Sequence, residues 1–385
     1  MALRVVIAGG GVAGLEALLA LRDMAGDRVA LTLVSPEREF VFRPMSVAAP
    51  FSRGRAARHP LAAAARQTGA ELVRAQVTAV DPVERRVVLE DGGRLAYDAL
   101  LVAVGARSEP ALRNALTWTP ESDHELFGGL LRDLEEGYAT SVAFIVPPVV
   151  AWPLPAYELA LMTAWEARGM GADVDVTIYT PEDAPLALFG TAASDALRAE
   201  LEEVGVRVLT GARVEDADGG LATDGRALDS RRAVALPRAV GPALPGLPAD
   251  DAGFIPADRH GKVTGVDAVW VAGDAMAFHV KQGGLAAQEA DATAEAIAAA
   301  AGADVEPRPF QPILRGVLLT GRGRQWMRLG AGEEEGEAAR HALWWPPTKV
   351  AGRYLSPYLG AIEDAEVLGT AATPDGHPVQ LDLAH

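Results

Sequence analysis

The fold is decided by the stretch RVVIAGGGVAGLEAL, residues 4–18. It contains a β-branched strand, a glycine turn and an apolar helix, the order in which a Gly-x-Gly-x-x-Gly dinucleotide-binding motif occurs. Gly9 permits the tight turn, Gly11 lets the backbone approach a pyrophosphate, and Gly14 lets the helix pack on the strand. The helix start offers unpaired N–H groups to the phosphates. The stretch predicts a dinucleotide site and leaves the identity of the dinucleotide open.

The composition is that of an acidic globular protein. With 385 residues, of which 49% are hydrophobic, the chain can form about two or three domains. Its 52 acidic and 35 basic residues give a net charge of −17, which argues against nucleic acid and against binding an anionic bilayer through net charge. No apolar stretch approaches the roughly 18 residues of a membrane span, and the predicted first strand near Leu3 leaves no room for a signal peptide. We therefore expect a cytoplasmic protein, with contact at a membrane surface left open.

Cysteine is absent from the sequence. Its absence excludes disulfides, thiolate metal sites, cysteine nucleophiles and a redox-active dithiol. The seven histidines form no H-x-x-x-H pair and have no carboxylates at metal-ligand spacing. We therefore expect no protein-bound metal.

The first unit continues with an alternating strand over residues 29–34 and a loop that opens at Ser35. At the end of this strand a dinucleotide fold usually has an acid that accepts hydrogen bonds from the ribose. Ser35 occupies that position here and Glu37 follows two residues on, so both are candidates for the ribose contact. A hairpin-like segment is expected next, over residues 71–81 and 86–98.

Two further buried strands end in glycine. The first covers residues 99–104 and ends at Gly105, and the second covers residues 269–272 and ends in Gly273-Asp274. An acid at the carboxyl end of a central parallel strand faces the ligand crevice, although the same residue type also serves as a helix N-cap. The segment Lys281-Gln282-Gly283-Gly284 follows, before an alanine-rich helix expected over residues 285–301. The N-terminus of this helix is expected to face the same crevice.

These pieces together resemble the FAD half of the pyridine-nucleotide-disulfide oxidoreductase superfamily. The resemblance covers about residues 1–112 and 237–301 and implies that FAD is the cofactor. It implies that the three motif glycines hold the pyrophosphate, Asp274 the ribityl chain and residues 281–284 the pyrimidine end of the flavin. The residues implied to bind the cofactor are Gly9, Gly11, Val12, Ala13, Gly14, Ser35, Glu37, Arg43, Pro44, Val77, Ala103, Gly105, Gly273, Asp274, Lys281, Gln282 and Gly283.

Between these halves the architecture repeats. Strands are expected over residues 141–146, 174–179 and 206–209, with helices over 156–167 and 192–204. In the superfamily such a unit holds NAD(P)H against the flavin. The turn that should carry glycines is PPVVAWPLP, residues 147–155, whose four prolines remove N–H donors and whose bulky side chains block close backbone approach. Binding of NAD(P)H is therefore left open: weak and in another pose, replaced by another reductant, or closed off.

Within the superfamily the layout most resembles the branch of sulfide:quinone oxidoreductases and type II NADH dehydrogenases. That branch has an aromatic-Arg/Gln-Pro piece near the flavin ring, matched here by Phe40-Val41-Phe42-Arg43-Pro44. The alternative for Phe40 and Phe42 is packing at a strand edge. Sulfide oxidation in this branch needs a cysteine pair, which the chain lacks, and NADH oxidation needs the second glycine motif. The resemblance thus implies fold and cofactor and withholds the substrate.

The C-terminal region carries the aromatic centre of the chain. Two short strands are expected over residues 316–320 and 324–329, followed by an acidic spacer and the segment LWWPPTKVAGRYLSPYL, residues 343–359. In the resembled branch this region forms a quinone pocket and lies on the membrane. We favour the alternative that Trp344, Trp345 and the nearby tyrosines pack over the flavin domain or form a dimer contact, because the prolines prevent a long amphipathic helix.

The predicted fold class is α/β, with two Rossmann-like dinucleotide-binding domains and a small C-terminal α+β domain. The FAD domain is discontinuous, over residues 1–112 and 237–305. A degenerate NAD(P)-type domain is inserted over residues 113–236, and residues 306–385 form a lid or interface domain. The oligomeric state expected is a monomer or a homodimer.

Three functions fit the sequence. The first is an FAD-dependent oxidoreductase that exchanges electrons or hydride with a small apolar or quinone-like substrate without a cysteine redox centre. The second is an NAD(P)H:acceptor oxidoreductase with an altered nucleotide loop, and the third is a flavin-binding protein without turnover. No catalytic residue stands out: Lys281 could stabilise the reduced flavin or be a solvated loop lysine, and Glu158 is a candidate general base with a structural alternative.

Overall fold

The computed structural model describes residues 1–120, 124–148 and 150–367. Two parallel five-stranded sheets form its centre, each covered by helices, and a small three-stranded antiparallel sheet follows them. The predicted α/β class with two Rossmann-like units is confirmed. The domain bounds given above stay a prediction.

The first unit contains ten strands and two helices before the chain leaves it. They are β1 (Leu3–Ala8), α1 (Val12–Ala25), β2 (Val29–Val34), β3 (Glu39–Phe42), β4 (Ala57–Pro60), α2 (Leu61–Thr68), β5 (Glu71–Val73), β6 (Val77–Asp81), β7 (Arg86–Leu89), β8 (Arg94–Ala96), β9 (Ala99–Val102) and β10 (Arg107–Glu109).

The second unit follows without a break. Its elements are β11 (Leu116–Thr117), α3 (His124–Glu135), β12 (Ser141–Ile145), α4 (Leu154–Met170), β13 (Asp175–Tyr179), α5 (Thr191–Val204), β14 (Arg207–Leu209), β15 (Val214–Ala217), β16 (Gly220–Thr223), β17 (Arg226–Ala227) and β18 (Arg232–Ala235).

The chain then returns to the first unit and ends in the small sheet. These elements are β19 (Arg238–Val240), β20 (Val269–Val271), α6 (Gly283–Ala300), β21 (Leu314–Leu319), β22 (Arg324–Leu329), β23 (Glu337–Ala339) and α7 (Leu355–Val367).

The first sheet has the strand order β20-β9-β1-β2-β5, with every pair parallel. Strand β1 is central, and its residues Val5 to Ala8 are at most 3% exposed, as expected for a strand covered on both faces. Helices α1 and α6 pack side by side on one face. The carboxyl ends of β1, β9 and β20 therefore meet at one edge, where a doubly wound sheet binds its ligand.

The second sheet repeats this pattern in the order β11-β18-β12-β13-β14. Strand β12 is central and is followed by α4, which contacts α5, β21 and the turn after β3. Strands β10 and β19 pair antiparallel where the chain passes between the two units. The loop after β12 consequently faces the first unit.

The hairpin predicted over residues 71–98 is wrong in its first strand. Residues 71–73 form β5 and extend the first sheet in parallel register with β2, and only β6, β7 and β8 form an antiparallel sheet. The chain bends between β5 and β6 because Leu72 is paired with Leu33 across the sheet. The antiparallel pair β3 and β4 was not predicted.

Two helices begin two residues earlier than predicted. Helix α4 begins at Leu154 with Pro155 in its first turn, where a missing N–H costs no intrahelical bond. Helix α6 begins at Gly283, because the side chain of Gln282 caps it.

The C-terminal aromatic residues differ in exposure. Trp344 is buried with its ring centroid 4.6 Å from that of Trp326, while Trp345 is 66% exposed. Tyr354 and Tyr358 pack on the core formed by α1 and α6. Over the described residues, no helix combines the length and apolar character needed to traverse a bilayer. The predicted C-terminal domain continues beyond them, so residues 368–385 lie outside the description.

Candidate flavin site

The glycine turn after β1 is closed toward the sheet and open on the opposite side. Gly9 has a φ of +119°, and its amide donates to the carbonyl of Val34 at 2.8 Å. A Cβ at Gly9 would lie 2.1 Å from the carbonyl oxygen of Ala103, and one at Gly14 would lie 1.9 Å from that of Gly9. At Gly11, the N-cap of α1, no described atom lies within 4 Å of the Cβ position. The first-turn amides of α1 can therefore meet an anion on this open side.

Several of the predicted site residues, which are far apart in the sequence, lie close to the start of α1. The Cβ of Ala13 lies 3.0 Å from the Cβ position of Gly273, and a methyl of Val12 lies 3.8 Å from that of Gly283. Gly105, just beyond β9, has a φ of +74°. The N-termini of α1 and α6 thus border one crevice, together with the turns after β9 and β20.

Ser35 and Glu37 lie together at the end of β2. The amide of Glu37 donates to Ser35 Oγ at 3.3 Å, and this oxygen lies 3.0 Å from the Cβ position of Gly10. Ser35 is buried and Glu37 is exposed. Val77 is different, because it belongs to the hydrophobic core beneath β1 and β2, with Val34 among its members. Because the Val77 side chain is in the core, only its backbone could make the predicted contact with the cofactor.

Asp274, Lys281 and Arg43 share one electrostatic environment. Burial raises the pKa of the Asp274 carboxyl, and the positive charges of Lys281 and Arg43 oppose this shift. Burial lowers the pKa of the Lys281 amine. That amine donates to the carbonyl of Met276 and lies 3.9 Å from the ring centroid of Phe254. A partly desolvated acid and a partly desolvated amine therefore influence each other electrostatically in this region.

Gln282 is committed to the fold through its side chain. Its Oε1 accepts from the amide of Leu285 at 2.9 Å, and its Nε2 donates to the carbonyl of Arg315 at 3.1 Å. The next residue, Gly283, faces Val350, whose methyl lies 2.8 Å from its Cβ position. A cofactor contact at Gln282 would have to come from its backbone.

The aromatic-Arg-Pro segment has a buried aromatic part and an exposed arginine. Phe40 is 3% exposed and stacks on His59 at 6.2 Å, while Phe42 meets the edge of Phe40 at 6.3 Å. The strand-edge packing of Phe40 is therefore present. Arg43 and Pro44 begin the 3-10 helix that follows, and Arg43 is exposed.

Glu158 is the buried fifth residue of α4. Its Oε1 accepts from the amide of Leu319 at 2.9 Å and from Lys349 Nζ at 2.5 Å. Burial raises the pKa of Glu158, and the charge of Lys349 opposes that rise. The ion pair joins α4 to the C-terminal segment. This contact favours the alternative that Glu158 has a structural role, with Lys349 as its partner. A catalytic role for Glu158 or Lys281 stays a prediction.

The loop after β12 has proline where the first turn has glycine. Pro147 and Pro148 follow β12, Val149 lies outside the described residues, and Pro153 caps α4 without a side-chain hydrogen bond. The amide of Lys281 donates to the carbonyl of Ala151 at 3.3 Å. This loop is therefore attached to the flavin-side segment of the first unit.

Sequence reasoning missed two residues of this site. Glu289 of α6 accepts from the amide of Gly273 at 2.7 Å and is 4% exposed. Phe254 lies under the Lys281 amine. In the sequence, only the position of Glu289 in an alanine-rich helix could have indicated that it belongs to the site. No local sequence pattern indicates the same for Phe254.

A glycine cradle at the edge of one doubly wound sheet, a second such sheet inserted behind it and a desolvated acid after the last strand define a two-unit flavoprotein oxidoreductase fold. Residues 3–139 and 158–300 match the pyridine nucleotide-disulphide oxidoreductase family. The chain belongs to this family. The predicted superfamily, the FAD cofactor and the oxidoreductase class are thereby confirmed.

Individual relatives agree on this assignment. A sulfide-quinone reductase from Aquifex aeolicus (strain VF5) is 30% identical over 192 residues, which are 47% of this chain and 44% of that protein. The chain thus spans less than half the length of this curated relative in the matched region. The crystal structure of the sulfide:quinone oxidoreductase from Aquifex aeolicus superposes with a TM-score of 0.75 at 19% identity, over 96% of this chain and 91% of that one.

A ferredoxin reductase from Rhodopseudomonas palustris has the same fold. It superposes with a TM-score of 0.60 at 19% identity, over 87% of this chain and 90% of that chain. At such identities the two solved structures establish the shared architecture.

The crevice fits FAD on two observations. The glycine turn is closed by backbone atoms at Gly9 and Gly14 and open at Gly11, and Asp274 is held beside it as a desolvated acid. Gly11 and the start of α1 would hold the pyrophosphate, Asp274 the ribityl chain and the backbone of residues 281–283 the flavin. The cofactor roles of the individual residues stay predictions.

Proposed function

We propose that the protein is an FAD-dependent oxidoreductase that exchanges electrons with a small apolar, quinone-like substrate, with neither a cysteine redox centre nor a nicotinamide in the second unit. The observation that carries the proposal is the glycine-free, proline-rich loop after β12. In the same position after β1, glycines allow a tight turn that is open at Gly11. A pyrophosphate needs free amides and close backbone approach, and proline supplies neither.

The ribose end of the second unit supports the same conclusion. The acid beyond the end of β13 is Glu182, near the position where an acid contacts ribose in dinucleotide folds. Its Oε2 accepts from Tyr157 Oη at 2.6 Å and from Thr180 Oγ1 at 2.9 Å. Burial raises the pKa of Glu182. Both hydroxyls belong to the protein, so Oε2 is engaged without any ribose, while Oε1 is buried and has no hydrogen-bond partner among the described residues.

A cavity lies between the proline-rich loop and the segment after β20. Its volume is about 420 Å³. Seven of its ten lining residues have apolar side chains, but polar atoms, the Lys281 amine among them, form slightly more of the lining surface than apolar atoms do. Cavities of some 300–1,000 Å³ suit small ligands, and two phenylalanine rings together with polar groups favour a flat ring that carries polar atoms, as a quinone does. The lining residues are Pro148, Val150, Ala151, Ala239, Asp250, Phe254, Ala277, Phe278, His279 and Lys281.

The chain's own residues would bind and orient the substrate while FAD supplies the electron chemistry. Lys281 adds a positive charge at the wall of the cavity, where it would stabilise negative charge developing on reduction. Phe254 and Phe278 would cover the faces of a ring and exclude water. The name of the Aquifex aeolicus relative includes a quinone, which favours that substrate class.

Partner and location follow from this choice. We propose a small-molecule substrate, no nucleic-acid partner, and a cytoplasmic protein that reaches a membrane-dissolved quinone at the surface. Exposed Trp345 is a residue of the type that sits at membrane interfaces. The charge of −17 opposes long contact with an anionic surface, so any such contact is expected to be brief.

The first experiment is anaerobic stopped flow on the purified flavoprotein with NADH, NADPH and a reduced short-chain quinone. We expect the quinol to bleach the flavin in a saturable way and both nicotinamides to bleach it slowly without saturation. Fast saturable bleaching by NADH or NADPH would overturn the proposal and establish the NAD(P)H:acceptor alternative.

A substitution in the cavity wall tests whether the substrate binds there. Ala277→Trp should fill the cavity and raise the quinol KM about tenfold or more, since even one methylene more or less in a pocket is worth roughly 1–3 kcal/mol. Ala227→Trp is the matched control, because Ala227 is also exposed but lies on β17 in the second unit. An unchanged KM in Ala277→Trp would remove the cavity from the reaction.

A further inference from the structure

Glu289 is a buried acid on α6 that neither the sequence motifs nor the proposed function uses. Its Oε2 accepts from the amide of Gly273 at 2.7 Å, and its side chain is 4% exposed. Gly273 has a φ of +74°, with the Cβ of Ala13 3.0 Å from its Cβ position. The turn that carries Asp274 is therefore held from one side by α1 and from the other by this carboxylate.

Glu289 also belongs to a charge cluster with more acids than cations nearby. Asp274 faces it from the turn after β20 and Lys281 from the segment before α6, and both influence its ionisation. Arg43 acts on Asp274, and Asp250 acts on Lys281. Burial raises the pKa of Glu289 to about 8. Near neutral pH the cluster can thus balance Asp274 against Lys281 while Glu289 keeps its proton.

We infer that Glu289 is a positioning residue for the flavin: it fixes the turn of Asp274 and holds the proton that keeps the Asp274, Lys281 and Glu289 cluster neutral. The inference rests on FAD being bound at Asp274, as in the proposed function. Loss of the proton from Glu289 adds a negative charge beside the cofactor. That charge opposes electron uptake, so ionisation of Glu289 and reduction of the cofactor are linked.

The test is a titration of the flavin midpoint potential against pH on purified flavoprotein, using a redox dye and the visible spectrum. For the wild-type protein we expect the slope of potential against pH to change near pH 8, because burial raises the pKa of Glu289 to about that value. In Glu289→Gln the hydrogen bond to the Gly273 amide can persist while the proton is lost from the titration. We expect this variant to keep FAD and show no change of slope near that pH.

Two further variants separate positioning from general stability. Glu289→Ala removes the acceptor of the Gly273 amide and should weaken FAD binding by up to about tenfold, the equivalent of one lost neutral hydrogen bond. Glu295→Gln is the matched control, because Glu295 is equally buried on the same helix but pairs with Arg308. It should retain both FAD affinity and the change of slope.

Each result decides the inference. A change of slope that persists in Glu289→Gln would overturn the proton assignment, and wild-type FAD affinity in Glu289→Ala would overturn the positioning role. The titration needs no substrate, so it stands even where quinol turnover fails and the proposed function falls. A purified chain that binds no FAD would overturn both together.

Discussion

The turn after β1 and the loop after β12 occupy the same place in two similar sheets and have opposite contents. The first has three glycines and an open helix start, and the second has prolines and a helix start covered by other parts of the chain. The helices that follow both carry a buried glutamate as their fifth residue, Glu16 in α1 and Glu158 in α4. The two units thus share the same sheet and helix arrangement, and their capacity to bind a dinucleotide differs because of the few residues in the turn.

Both glutamates are held by one segment near the C-terminus. The amides of Tyr354 and Leu355 donate to Glu16 at 2.7 and 2.8 Å. Lys349 contacts Glu158 at 2.5 Å. Residues 349–355, here called the C-terminal strap, therefore join the two units at equivalent positions.

The largest effect is expected when the ion pair of α4 with the strap is removed. Lys349→Met leaves Glu158 buried without its partner and should lower the free energy of unfolding by about 3–5 kcal/mol. Chemical denaturation of the FAD-loaded protein measures this loss. Lys262→Met, which removes a half-exposed ion pair with Asp267, should cost at most about 1 kcal/mol. Equal losses in the two variants would contradict a special role for the strap.

The next effect breaks the comparison at α1. Gly14→Ala puts a Cβ 1.9 Å from the carbonyl oxygen of Gly9, so the turn must shift. We expect a loss of about 1–3 kcal/mol in stability and about tenfold or more in FAD affinity, measured by fluorescence titration. Gly169→Ala is the matched control within α4, where no described atom crowds the new Cβ, and should stabilise by roughly 0.5–1 kcal/mol. Retention of FAD by Gly14→Ala would show that the cradle is not the binding site.

A smaller effect sharpens the contrast between the two ribose ends. Tyr157→Phe removes one of two hydroxyl donors to Glu182 and should cost about 1.5 kcal/mol of stability. FAD affinity should be unchanged, because Glu182 lies in the second unit. If the variant instead gained tight NADH binding, measured by isothermal titration calorimetry, Glu182 would be a ribose ligand masked by Tyr157.

The smallest effect concerns pH and the strap. Burial raises the pKa of Glu16 to about 7, and burial together with the Glu16 charge raises that of Asp291 well above its ordinary value. A carboxyl with a raised pKa in the folded state favours the protonated form there, so its stabilising contribution is lost as pH rises through about 7.

We therefore expect the free energy of unfolding to fall between weakly acidic and weakly alkaline pH, by less than about 1.4 kcal/mol per pH unit for one proton. Asp291→Asn should flatten this fall, as measured by urea denaturation across the range. Glu289→Gln provides the comparison, because Glu289 contributes a fall of the same sign near pH 8. An Asp291→Asn protein with an unaltered profile would contradict the coupling of the two carboxyls.

Local motifs made the first unit predictable from the sequence. Gly9, Gly11 and Gly14 act within one turn, and Gly273 with Asp274 follows one strand, so spacing along the chain sufficed. The structure places these residues at one crevice, as expected from strands that end at the same sheet edge.

The remaining features depend on contacts between distant residues. Glu158 meets Lys349 191 positions later, and Glu16 meets Tyr354 338 positions later. No local pattern encodes such pairs. The hairpin over residues 71–98 was wrong for the same reason, because pairing of Leu72 with Leu33 across the sheet decides where its first strand belongs.

The position of the strap has a consequence for biosynthesis. Because residues 349–355 follow both sheets in the sequence, both sheets can form on the ribosome before Glu16 and Glu158 have their partners in this segment. A nascent chain halted before residue 349 would carry two uncompensated carboxyls inside otherwise complete helices, α1 and α4. The strap contacts are therefore expected to form after both sheets, and a ribosome-bound intermediate that lacks them should be cleaved by protease faster than the released chain.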